Sequence, residues 1–220
     1  MLAELIQVLF IIAILFPCIV LHEVAHGWTA YKLGDPTAKQ AGRLTLNPIK
    51  HIDPFGSIIF PGLLFLFSFI GGLPLIIFGW AKPVPVNFLR LRNPKQDMIL
   101  VGMAGPLSNI LFALVLTGIR VLAQVNDPAS TWYFFFSAFI FLNLLLATFN
   151  MIPVPPLDGS RLVMGLLPNQ LMVQYAKLER IGIPLVLFLT LFFNLFEKIL
   201  IPVVEFLGNL LQIQFAGVIY

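Results

Sequence analysis

Hydrophobic and polar positions fall in long blocks along this chain. The run "IQVLFIIAILFPCIV" (6–20) is almost pure hydrocarbon and continues into "LHEVAHGWTAYK", so one membrane-entering helix is expected from about Leu5 to Tyr31. A polar stretch, "KLGDPTAKQAGRLTLNPIKHIDP" (32–54), follows. The next block, "FGSIIFPGLLFLFSFIGGLPLIIFGW" (55–80), is apolar but interrupted at Pro61-Gly62, Gly71-Gly72 and Pro74. Two further runs, 98–122 and 131–152, each have the ~20 residues that a helix needs to cross a bilayer. "PVPP" at 153–156 must end the second of them, because proline lacks a backbone donor and bars helical geometry. Two shorter apolar runs, 181–196 and 198–215, are divided by Glu197, Lys198 and Pro202, and a hairpin and an interrupted span are both open there.

Composition agrees with the blocks. Only 10% of the residues are charged, against ~25% in ordinary soluble domains, which makes this a membrane protein. The net charge of +3 does not point to nucleic acid, since the basic residues sit in loops beside apolar runs and act as topology signals. Lys32, Lys39, Arg43 and Lys50 mark one loop as cytoplasmic, and Lys82, Arg90, Arg92 and Lys95 mark the next. A single crossing at 55–80 would put one of these outside. The block is therefore expected to be a re-entrant or hairpin element shielded by protein, with room for short β-strands; a kinked spanning helix is the alternative. The first run lacks a basic leading region and a small-residue cleavage site, so it is expected to stay attached. Cys18 is the only cysteine, which excludes an intrachain disulfide. The expected architecture is an all-α polytopic membrane protein, one domain over residues 1–220, in contact with the lipid bilayer.

"HEVAH" puts polar chemistry inside the first helix. His22 and His26 differ by ~40° in azimuth and one turn in height, so both rings reach one ion, and Glu23 lies close enough to hold a water on it. Ionisable groups at membrane depth cost ~2.5 kcal/mol or more each and mark functional sites, and a zinc ion supplies the partner that these lack. Catalytic zinc sites usually keep three protein ligands and a water. The third ligand is open among Asp53 and His51 in the first loop and Asp158 after the PVPP break. Asp35, Asp97 and Asp127 sit in turns that look solvated. Asp158 is attractive because the prolines let a carboxylate turn inward, although "LDGSRLV" alone reads as a helix N-cap. Asn143, Ala147 and Asn150 share a helix face directed at the protein interior. Asn109 is similar, and either amide could serve only to bond helix to helix. Cys18 lies one turn before His22, ~12 Å along the axis from His26, and reads as a packing residue.

HEVAH on an early membrane helix, "AGPLSN" (104–109) and "NMIPVPPLDG" (150–159) resemble the site-2 protease family of intramembrane zinc metalloproteases. "NPIKHIDPFGS" and "FGWAKPVPVN" resemble its small bacterial and archaeal branch. The resemblance covers roughly residues 15–165. It implies one zinc ion on His22, His26 and Asp158, Glu23 as general base, and Asn150 on the substrate backbone or near the metal. Asn109 joins Asn150 as a candidate for substrate binding. It further implies a three-helix catalytic core at the first, third and fourth segments. The substrate class is membrane proteins with a transmembrane segment, in the cell membrane, with the active site toward the cytoplasm. No PDZ or CBS domain is evident. His51 and Asp53 receive no role beyond a loop at the membrane surface. A rise of only ~25 Å from Leu5 to His22 fits a metal near the cytoplasmic edge.

Two other readings stand beside this one. A membrane metal transporter or metal-binding protein could use the same His/Asp cluster, and helix-to-helix bonding alone would need no metal. A prenyl-protein type of membrane protease wants a downstream glutamate ligand, and Glu179, Glu197 and Glu205 lie in no such motif.

Overall fold

The computed structural model describes residues 2–71, 81–215 and 218. Among them the chain forms helices α1 (Leu2–Lys32), α2 (Thr37–Gln40), α3 (Phe60–Gly71), α4 (Pro94–Leu122), α5 (Thr131–Asn150), α6 (Gly159–Leu166), α7 (Asn169–Ala176), α8 (Gly182–Phe193) and α9 (Ile201–Leu210). No strand forms among the described residues, so the short β-strands allowed for are not found there. "GRLTL" (42–46) is irregular chain.

Three stretches, Leu9–Lys32, Pro94–Leu122 and Thr131–Asn150, are long and apolar enough to cross a membrane. These are α1, α4 and α5, and each packs against the other two. The close approach of α4 to α6 depends on a small residue: a Cβ on Gly102 would lie 2.7 Å from the Arg161 Cβ. Pro17 and Pro106 stand inside α1 and α4, where each removes one helical hydrogen bond. Away from the HEVAH end, α4, α5, α9 and the last turns close a core of Ala113, Ile140, Phe141, Leu144, Val204, Ile213 and Phe215. Arg120 is buried at this end; it donates to Val125 O and Gln212 O and lies over the Tyr133 ring. Leu107, Leu111, Leu114 and Val115 on α4 are exposed, as lipid-facing side chains would be.

The apolar block after His51 begins with a π-helical turn (Pro54–Ile59), capped by Asp53 accepting from Gly56 N at 2.7 Å, and continues as α3. Its remainder, 72–80, lies outside the described residues, and with it about a third of the expected re-entrant element. The last two apolar runs separate at Asn194, whose left-handed backbone (φ 51°) ends α8.

The polar loops are less solvated than their composition suggests. Asp35 and Asp97, expected in water, are buried, and so is His51, expected at the membrane surface. Each of them serves backbone groups. Asp35 accepts from Thr37 N, Thr37 Oγ1 and Asn87 N, the last at 2.6 Å. Asp97 reaches back to Asn93 N at 2.8 Å, satisfying a free donor at the start of α4. His51 donates from Nε2 to Thr45 O at 2.8 Å. Asp127 remains exposed.

Candidate metal centre

The centre brings together three side chains from two parts of the chain. His22 and His26 stand one above the other on α1, with ring centroids 4.6 Å apart. Asp158 arrives from the segment between α5 and α6. It occupies the N-cap position of α6, yet its side chain makes no capping bond there. Its Oδ2 lies 3.0 Å from His22 Nε2 and 3.1 Å from His26 Nε2, and the two Nε2 atoms are 3.0 Å apart. Among the described residues these three form a group able to hold a metal ion, and His51 and Asp53 are not part of it.

The outer shell fixes the tautomers. His26 Nδ1 faces Val101 O at 2.6 Å and must donate to it. His22 Nδ1 faces Asn109 Oδ1 at 2.6 Å. That amide cannot turn round, because its Nδ2 donates to Cys18 O and to Asn143 Oδ1. Asn143 is held in turn by donating to Phe139 O. With both Nδ1 atoms carrying protons, each neutral imidazole has only a lone pair left at Nε2. Two such lone pairs and a carboxylate oxygen then meet within about 3 Å. A bound metal ion would relieve that repulsion, and the donor set with its carbonyl and amide outer shell suits zinc.

Gly105 on α4 leaves the room. A Cβ there would lie 2.3 Å from His26 Nε2 and 2.5 Å from His22 Nε2. The "AGP" stretch reads from sequence as a helix contact, and nothing in its composition shows that the contact is with ring nitrogens.

Glu23 is half-buried beside the pair, and its Oε2 accepts from Val84 N at 2.7 Å. Asn150, half-buried at the end of α5, donates to Leu146 O. Asn109 is fully buried behind His22. Cys18 is buried as expected, but it is more than packing: its thiol donates to Ile14 O and accepts from Asn143.

The loop carrying Asp158 is pinned from behind. Tyr175 donates its hydroxyl to Pro153 O at 2.6 Å. Gly182, at the start of α8, sits so close that a Cβ would overlap Pro155 O.

Comparison with known proteins now bears on this arrangement. The model of "Peptidase family M50" matches residues 118–193, the part that contains Asn150 and Asp158. The provisionally named zinc metalloprotease YwhC of Bacillus subtilis is 40% identical over 192 residues, covering 83% of this chain and 80% of YwhC. The chain belongs to peptidase family M50. That bears out the resemblance to the site-2 proteases carried by HEVAH and NMIPVPPLDG. Two further relatives match less of the chain. Rip2 of Mycobacterium tuberculosis, also provisionally named a zinc metalloprotease, is 34% identical over 63% of this chain, which spans half of Rip2. Zinc metalloprotease MJ0392 of Methanocaldococcus jannaschii is 28% identical over 74% of this chain and 35% of its own length. No solved structure gives a significant match.

Proposed function

We propose that this M50 peptidase is an intramembrane zinc metalloprotease that hydrolyses peptide bonds in or near transmembrane segments of membrane-protein substrates. The observation that carries the reading is the convergence of His22 Nε2, His26 Nε2 and Asp158 Oδ2 at 3.0–3.1 Å on the inner face of helices apolar enough to span a bilayer. His22, His26 and Asp158 hold the ion. When bound, zinc supplies Lewis acidity, lowering the pKa of a water to ~7 and polarising the scissile carbonyl.

The chain's own residues do the rest. Glu23, next to the histidines and anchored through Oε2, accepts the proton of the attacking water and returns it to the leaving amine. Asn109 and Asn143 hold His22 in the tautomer that offers its lone pair. Because the Asn109 amide is fully committed there, its part is positioning His22, and substrate contact falls to Asn150, at the open end of α5. The centre lies about six residues, or ~9 Å, from the end of α1 at Lys32. With basic residues clustered at that end, it faces the cytoplasmic side, where water is available. The re-entrant reading of 55–80 belongs to this picture, as an element beside which a substrate helix unwinds.

Reconstitution of the full chain in liposomes with a fluorescently tagged single-span membrane protein tests the proposal. Wild type cleaves it, and Glu23→Gln retains zinc while losing 10²- to 10⁴-fold in rate, the usual contribution of a general base. Zinc retained in His22→Ala or Asp158→Ala would remove the assigned ligands. Zinc flux without proteolysis in wild type would favour a transporter.

A further inference from the structure

We infer that residues 81–87 form a strap whose purpose is to present a single backbone N–H, that of Val84, to the carboxylate of Glu23. This rests on Glu23 being the general base and adds the element that positions it.

The strap is extended chain, "AKPVPVN", and crosses α1 at the face shared by Glu23 and Gly27, one turn apart. Val84 N donates to Glu23 Oε2 at 2.7 Å. Its side chain is buried, and it seats against Gly27, where a Cβ would come within 2.5 Å of Val84 Cγ1. The prolines on either side, Pro83 and Pro85, carry no N–H, so Val84 has the only backbone donor in this triplet. The carboxylate therefore meets one donor at one place.

Both ends of the strap are tied to buried polar groups. At one end Lys82 N donates to His51 O at 2.9 Å, and Lys82 O accepts from Arg43 Nη2 at 2.6 Å. At the other, Asn87 N donates to Asp35 Oδ2 at 2.6 Å. Arg43, His51 and Asp35 are all buried, an expensive arrangement for a loop that only connects two helices. It gives the side chains of Arg43 and Asp35 a task that their positions in sequence do not reveal, while His51 contributes its backbone carbonyl. One oxygen of Glu23 is thereby engaged and its rotamer held, leaving the other oxygen to meet water. Val84 is a positioning residue, acting through Glu23.

The test separates backbone from side chain. Val84→Pro removes the N–H and keeps extended backbone, because Val84 already precedes Pro85. Val84→Ala keeps the N–H and removes the side-chain packing. With dye-labelled casein in detergent micelles as an unfolded probe, and zinc measured on each preparation, Val84→Pro is expected to lose at least tenfold more kcat than Val84→Ala, at unchanged KM and zinc content. Arg43→Gln, which frees Lys82 O, acts in the same direction. Equal kcat for the two Val84 variants would overturn the inference. A readout independent of turnover is amide exchange in the full chain with valine-selective labelling. The Val84 amide is expected to be protected in wild type and to exchange at least tenfold faster in Glu23→Ala; equal protection overturns the inference even where Val84→Pro fails to fold or wild type leaves casein uncut. If Glu23→Gln stays active while the Val84 amide depends on Glu23, the general-base reading fails and the contact stands.

Discussion

Asn109 shows how much of the proposed metal centre lies in residues that would never touch the metal. Its carbonyl takes the Nδ1 proton of His22 at 2.6 Å, while its amide is spent on Cys18 O and Asn143. Removing it leaves a buried ring N–H without a partner and frees the imidazole to present the wrong nitrogen. Asn109→Ala is therefore expected to weaken zinc binding by about 10- to 100-fold, the usual effect of losing such a partner, with KM little changed once zinc saturates the site. Competition against a chelator of known affinity measures the first, and steady-state cleavage at high zinc the second. A raised KM with zinc affinity intact would return Asn109 to substrate binding. His26 needs no such amide, because Val101 O does the same service from the backbone of α4.

At the scale of elements, the strap and the turn after α1 depend on a single carboxylate. Burial alone would raise the pKa of Asp35; hydrogen bonds from Thr37 and Asn87 outweigh it and hold the group below its ordinary value of 3.8. A depressed folded pKa means that the stabilisation is complete above the unfolded value and fades as pH falls through the folded one. Wild type should thus melt at a higher temperature than Asp35→Asn at pH 7, and the gap should narrow below about pH 4. Thermal unfolding in detergent at stepped pH checks this, and a gap that widens in acid would contradict it. Asp35 also marks where sequence stops being informative. The spanning helices are legible because apolar blocks of that length have few other fates, and His22 and His26 because a four-residue step stacks two rings on a helix. Asp158 is legible as a candidate because prolines release the chain just before it. The burial of Asp35 is not, since its partner at Asn87 lies 52 residues away and is a backbone N–H, which every residue type except proline offers alike; the His51 ring likewise bonds only a backbone group, Thr45 O. Gly105 escapes for a related reason: a glycine in an apolar helix signals a close neighbour without saying which.

For the molecule as a whole, the centre is a cross-link. Its proposed ligands come from α1 and from the segment that follows α5, 132 to 136 residues further along the chain. Inside the bundle α1 meets α4 and α5 through small residues and the Asn109–Asn143 amide chain, contacts that lipid rewards weakly because hydrocarbon is as apolar as the side chains it replaces. An ion bound only when these two regions stand together stabilises the folded state by mass action, ~2.7 kcal/mol at a free concentration 100 times its dissociation constant. Chelation should accordingly lower the melting temperature of wild type, and added zinc should restore it. Asp158→Ala leaves the two imidazoles facing each other with no carboxylate, so its melting temperature should start lower and respond far less to chelator. Glu23→Gln behaves differently, because Glu23 holds the strap and not the ion: it should keep the full response to chelator. The three melting curves, taken with and without chelator, separate ligands from base without any knowledge of the substrate. An Asp158→Ala response equal to that of wild type would show that the ion is held elsewhere.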